Sequence, residues 1–188
     1  MVTRVRLIVA AVVLVGVVDL ARALAPGEAP IAKLEAMEDA GDAADIARAR
    51  VSVTDAAGER ACVLRGGRHS CGAKGWQYVG DKEMKIAGKR ERCVWAHPIA
   101  GATTSIHYPS VVSSEGAPRA IAFGLADKVS RKGGPVDVDV TFGGETTRHV
   151  HPARRGWTRF SLGEGSGPLT LAISAEKTGQ RHFCFRIE

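Results

Sequence analysis

Hydrophobic and polar positions alternate with a period of two through the second half of the chain. In "VDVDVTF", Val136, Val138, Val140 and Phe142 share one face, and Asp137, Asp139 and Thr141 share the other. "LTLAISAE" likewise separates Leu169, Leu171, Ile173 and Ala175 from Thr170, Ala172, Ser174 and Glu176. Successive strand side chains point to opposite sides, so each stretch predicts a half-buried strand with one face on a core. "EMKIA", "CVWAH", "TTSIHY", "RAIAF", "ETTRHV", "WTRFSL" and "HFCFRI" bring the expected total to about nine short strands, with Gly and Pro between them. No helical segment is expected beyond residue 50. Evenly spaced strands with this punctuation predict a mainly β fold, an antiparallel jelly-roll-like β-sandwich over residues 83–188.

The pattern is different upstream. Arg4 and Arg6 precede an apolar run from Leu7 to Val18, which Asp19 ends. A bilayer span needs about 20 apolar residues, and the small residues of Ala21-Arg22-Ala23 suit a secretory peptidase. Residues 1–23 therefore read as a signal peptide, with an uncleaved anchor, and hence membrane attachment, as the alternative. Residues 24–50 are Ala-rich and acidic, with Ile31, Leu34 and Met37 at helical spacing after Pro30. They predict an acidic helical linker. Residues 51–82 are expected to form a small disulfide hairpin appendage that includes "GWQYVG".

An even number of cysteines behind a signal peptide reads as disulfides. In "ERACVLRGGRHSCG", Gly66-Gly67 suits a two-residue primed turn, because both positions need positive φ. Counting outward, Arg65 faces Arg68, Leu64 faces His69, Val63 faces Ser70 and Cys62 faces Cys71. The last pair falls at a non-hydrogen-bonded site about 4.5 Å across, within disulfide range. A Cys62–Cys71 bridge is expected, which leaves Cys93 to pair with Cys184 and tie the last strand to the start of the sandwich. The alternative is four free buried thiols.

Composition narrows the function. The net charge of +6 falls to about +4 once Arg4, Arg6, Arg22 and Asp19 leave with the signal. The densest basic run, Lys82, Lys85, Lys89, Arg90 and Arg92, is interrupted by Glu83 and Glu91 and has no interleaved aromatics. It reads as a solvated surface, and no nucleic-acid partner is expected. The chain contains no Asn and favours Arg over Lys, the codon usage of a G+C-rich bacterial genome. The expected location is therefore periplasmic or extracellular.

Enzyme motifs are missing: there is no Gly-x-Ser-x-Gly elbow, no His-Glu-x-x-His helix and no phosphate loop. No catalytic residue and no cofactor are expected. Asp137 and Asp139 share a strand face, but the "FGGE" turn sets Asp139 opposite Arg148, and a cross-strand ion pair suffices. His149 and His151 in "RHVHP" also share a face, yet zinc needs three or four converging ligands. In the same hairpin register His149 faces Val138, so a hydrogen-bonded histidine at the core margin is the simpler reading, and no metal is expected. His97 and His107, near prolines at strand ends, are expected to cap loops.

Aromatic residues carry the best functional hint. Trp95 shares a strand face with Cys93 and His97, and Cys184 shares one with His182 and Arg186. Direct opposition of Cys93 and Cys184 would set Trp95 across from His182. Such a face suits a sugar, which stacks its C–H surface on an indole and hydrogen-bonds its hydroxyls to polar groups. Trp157 and Arg159 of "GWTRFSL" form a second candidate. The opposing reading covers either tryptophan as ordinary packing beneath residues 24–80. The succession "CVWAHPIAGATTSIHYPSV", "GLAD", "PVDVDVTFGGE", "GWTRFSL" and "RHFCFRIE" resembles the exported galactose-binding-like modules appended to bacterial envelope glycosyltransferases and glycan-active enzymes. That resemblance implies a jelly roll that binds carbohydrate without catalysing a reaction. The expected function is a noncatalytic binding module for cell-envelope or extracellular glycan, at Trp157, Arg159, Trp95, His182 and Arg186. The alternative is a structural or protein-interaction subunit of the cell envelope.

Overall fold

Alternation of the predicted kind builds two antiparallel sheets in the computed structural model, which describes residues 45–112, 119–128, 133–154 and 156–188. The strands are β1 (Arg50–Asp55), β2 (Gly58–Ala61), β3 (Val63–Arg65), β4 (Arg68–Ser70), β5 (Tyr78–Ile86), β6 (Lys89–Ala96) and β7 (Thr103–Val112). They continue with β8 (Arg119–Leu125), β9 (Val136–Phe142), β10 (Glu145–His151), β11 (Gly156–Gly163), β12 (Ser166–Ser174) and β13 (Phe183–Ile187). One sheet has the order β10-β9-β12-β7-β1-β2, the other β11-β8-β13-β6-β5-β4-β3. The described residues hold thirteen strands against the nine expected, because residues 50–70 supply four more. Residues 51–82, expected as an appendage, add β1 and β2 to the first sheet and β3, β4 and β5 to the second.

The signal peptide and most of the helical linker lie outside the described residues. In the described part of the linker the only helical turn is a short 3-10 turn, Ile46–Arg48, and β1 begins at Arg50. No helix among the described residues is long and apolar enough to cross a membrane.

The core collects the inward-facing residues of both sheets. Val138, Leu169, Leu171, Ile173 and Ile106 meet Ile121, Phe123, Leu125, Phe183 and Phe185, all fully buried. Each such side chain contributes about 1.5–3 kcal/mol relative to exposure. The hairpin register is the expected one: Val63 pairs with Ser70, Leu64 with His69 and Arg65 with Arg68, across a turn in which Gly66 and Gly67 have φ of 55° and 74°. Cys62 and Cys71 are bridged, with Cα atoms 4.5 Å apart.

Cys93 and Cys184 are bridged as well, but they are not directly opposed. Cys184 pairs with Trp95 and Phe185 with Val94, so the bridge runs diagonally, over a Cα separation of 5.9 Å, and Trp95 is not opposite His182 in register, although their ring centroids lie 5.4 Å apart. The expected ion pair also runs diagonally. Arg148 pairs in register with Asp139, yet its guanidinium reaches Asp137 at 3.4 Å.

Histidine roles depart from expectation too. His151 is buried, at 1% exposure, and neither ring nitrogen has a hydrogen-bond partner among the described residues. His149 instead packs on Phe160, with ring centroids 4.0 Å apart. His107 lies within β7 rather than at a loop, its Nδ1 3.0 Å from Thr170 Oγ1, while His97 Nδ1 donates to the carbonyl of Pro98 at 2.8 Å. No group of three or more metal-binding side chains occurs among the described residues.

The tip of the β5–β6 hairpin is held beside the end of β8. Asp127 N–H donates to Lys85 O at 2.8 Å, and Gly88 N–H donates to Asp127 Oδ2 at 2.9 Å. Ile86 is thereby fully buried against Gly124. A Cβ on Gly124 would sit 2.8 Å from two carbons of the Trp157 ring and 3.0 Å from Ile86 Cδ1. Gly124→Ala is therefore expected to cost about 1–3 kcal/mol through overpacking, measured by urea denaturation.

Candidate functional site

The outer face of the second sheet carries all five residues expected to bind a ligand. One row crosses it by register: Arg68 pairs with Gly80, Gly80 with Trp95, Trp95 with Cys184, Cys184 with Gly124, and Gly124 with Trp157. A second row places Arg186 beside Ala122 and Ala122 beside Arg159. The candidates fall into two groups on either side of Cys184 and Gly124.

In the first group Trp157 is half-buried against Gly124, and the Arg186 guanidinium lies 4.5 Å from the centre of its ring. Arg186 is in turn ion-paired to Glu91 and Glu188, and Arg159 Nε reaches Glu188 Oε2 at 2.6 Å. Each guanidinium thus already has a carboxylate, and one side of the indole has a cation.

In the second group Trp95 is buried, at 3% exposure. Its Nε1 donates to the Trp76 carbonyl at 3.3 Å, and the Lys82 ammonium stands 3.8 Å from its ring centre. Around it gather Tyr78 at 6.0 Å, His97 at 5.5 Å and His182 at 5.4 Å between ring centroids. Trp76 closes the cluster on the solvent side, 4.7 Å from His97 and 39% exposed. Arg68 lies 4.8 Å over Tyr78, and Lys74 Nζ lies 5.9 Å from Trp76.

Sequence reasoning did not single out Trp76, although "GWQYVG" displays it. The loop that carries it is pinned at its base by the Cys62–Cys71 bridge. Cys71 N–H donates to Gln77 O, Gln77 N–H to Lys74 O, and Lys74 N–H to Gln77 Oε1, all at 2.8–3.0 Å. The indole is therefore presented from a braced loop, which reduces the ordering cost of binding.

Both imidazoles of this group have a pKa below the ordinary histidine value. Burial is the main cause for each, and the Lys82 and Arg181 charges push the same way. Near neutral pH they are uncharged, each with one donor and one acceptor nitrogen. A separate groove of about 660 Å³ lies over the first sheet, lined by residues that include Arg50, Ser52, Glu59, Ser105, His107 and Thr170. None of the five expected residues lines it.

Fold and face together define a two-sheet, disulfide-bridged β-sandwich with an aromatic and basic patch on one outer surface. Among solved structures it is similar to a CBM51 module from Clostridium perfringens GH95 in complex with methyl-galactose, at 13% identity and a TM-score of 0.39, over 56% of this chain and 77% of that one. It is similar to tandem CBM51 modules of a family 98 glycoside hydrolase from Streptococcus pneumoniae, at 12% identity and a TM-score of 0.37, over 55% of this chain and 33% of that one. The CBM51-2 and INT domains of Clostridium perfringens ZmpB give 14% identity and a TM-score of 0.42, over 74% of this chain and 37% of that one. The chain thus spans about a third of the length of the latter two. No protein-family model matches the chain, and no curated protein matches it by sequence.

Proposed function

We propose that this chain is a noncatalytic carbohydrate-binding module with a jelly-roll-like sandwich, exported to the periplasm or cell surface, and that it binds envelope or extracellular glycan. The observation that carries the proposal is the exposed indole of Trp76, seated on a braced loop beside His97 and His182. A pyranose can stack a C–H face on that indole while its hydroxyls bond to neutral imidazoles and nearby cations. Trp95 serves beneath the platform, holding the Trp76 loop by its indole N–H and Lys82 by its ring face. Trp157, Arg159 and Arg186 form a flanking surface that a longer glycan can reach along the same sheet face. Two disulfides fit an oxidising compartment.

A glycan array probed with the full chain and with Trp76→Ala tests this reading. Loss of a stacking indole is expected to weaken binding about five- to hundredfold, in line with the 1–3 kcal/mol that aromatic stacking contributes at nucleobase-binding sites. Unchanged binding in Trp76→Ala would remove the platform from the account.

A further inference from the structure

We propose that the glycan bound at the Trp76 platform is acidic, carrying uronate carboxylates, and that it binds more tightly as pH falls. The inference rests on the carbohydrate-binding role proposed above and adds the ligand's charge. Three cations rim the aromatic cluster from three different segments: Arg68 from β4, Lys74 from the Trp76 loop and Lys82 from β5. None of the three is ion-paired to a carboxylate among the described residues. The acidic groups closest in sequence are turned away or engaged. Asp81 and Glu83 alternate to the other side of β5, where Arg92 holds Asp81 at 2.7 Å and Arg90 holds Glu83 at 3.0 Å. Glu91 and Glu188, on the platform's own sheet face, are held by Arg186 and Arg159.

Positive charge is concentrated further by the surroundings of the two imidazoles. His97, on the segment after β6, lies 6.0 Å from His182 between ring centroids, both rings lie 5.4–5.5 Å from Trp95, whose face carries Lys82, and the Lys82 and Arg181 charges act on both imidazoles. These neighbours oppose a further positive charge on either ring. A carboxylate set among Lys82, His97 and His182 reverses that balance and favours the protonated rings. Linkage is reciprocal, so a ligand that draws protons onto the imidazoles binds more tightly where protons are plentiful. Uronate carboxylates resemble α-carboxyl groups, ionising near pH 3.5, and stay charged across this range. A neutral pyranose would gain the stacking and hydroxyl hydrogen bonds but no charge pairing with the ammonium and guanidinium groups.

The test is isothermal titration of the full chain with polygalacturonate, with its carboxyl-reduced neutral polymer and with poly-L-glutamate, at pH 5 and pH 8 and at low and high salt. Polygalacturonate is expected to bind about tenfold more tightly than the reduced polymer and at least about threefold more tightly at pH 5 than at pH 8, with added salt weakening it. Lys74→Gln and Lys82→Gln should each weaken it roughly threefold, and His182→Gln should flatten the pH dependence. Equal affinity for the acidic and reduced polymers, or binding of neutral array glycans alone, would overturn the inference and leave the carbohydrate-binding role standing. Equal binding of poly-L-glutamate would overturn it in favour of a charge-only surface for acidic polymers. Binding to no glycan, acidic or neutral, would overturn both.

Discussion

Replacing Cys93 and Cys184 together by alanine is expected to lower the unfolding free energy by about 4–5 kcal/mol and the melting temperature by roughly 10–20 °C. The bridge spans 91 positions of sequence, so its loss frees a long loop in the unfolded chain. It also sits where the second sheet is least continuous. β13 pairs with β6 only through Cys184 with Trp95 and Phe185 with Val94, whereas five residue pairs join β13 to β8 and eight join β5 to β6. The Cys62–Cys71 bridge closes a loop of separation 9, and its removal is expected to cost about 2.5–3 kcal/mol. Urea denaturation of the two double-alanine variants checks the ordering. A smaller loss from the Cys93–Cys184 variant than from the hairpin variant would show that loop closure is not what the long bridge contributes.

Acidification is expected to cost about 3 kcal/mol through His151 alone. The ring ends β10, is 1% exposed, and lies 6.2 Å from the Phe183 ring. Burial first, then the charges of Arg154 and Arg181, push its pKa down to about 4, against about 6.5 in an unfolded chain. Between these values the unfolded state binds the extra proton and the folded state does not. The stabilisation is therefore complete above about pH 6.5, falls away as pH drops toward 4, and changes no further below it. Carboxylates such as Asp55, whose pKa is lowered chiefly by its hydrogen bond to Arg60, add their own loss at acid pH. Comparison with His151→Leu isolates the histidine. In urea titrations at pH 7 and pH 4.5 the parent should lose more stability than the variant, and parallel losses would contradict the burial argument.

Local rules were enough wherever a turn fixes a register. Gly66-Gly67 and the "FGGE" turn each set their hairpins correctly, because two consecutive glycines with positive φ leave one tight connection and a fixed count of opposed residues. The pairing of Cys93 with Cys184 was legible by elimination once the hairpin was known. Its diagonal geometry was not, since the two strands are far apart in sequence and no turn sets their register. The Arg148 ion pair shows the same limit: the register names Asp139, but a long side chain reaches the diagonal Asp137.

Exposure was the least legible property. Trp76, Trp95 and Trp157 look alike in sequence, yet burial depends on what crosses over each. Trp95 is covered by Lys82 and the Trp76 loop, Trp157 by Arg186 and Gly124, and Trp76 by nothing that leaves it buried. Ile86 and Met84 show the converse, apolar residues on the outer side of β5 that are nonetheless buried. Periodicity assigns a side chain to a face of its strand, and only tertiary structure decides whether that face meets water.

The measurement that bears most directly on the account is tryptophan fluorescence of the full chain during titration with soluble glycan, with acrylamide as quencher. Trp76 is the most exposed of the three indoles and should dominate quenching. Bound glycan is predicted to shield it, lowering the quenching constant, and Trp76→Ala should remove most of the accessible fraction and of the shielding. Saturating glycan that leaves quenching unchanged, or shielding that is undiminished in Trp76→Ala, would contradict a sugar-binding platform at this site.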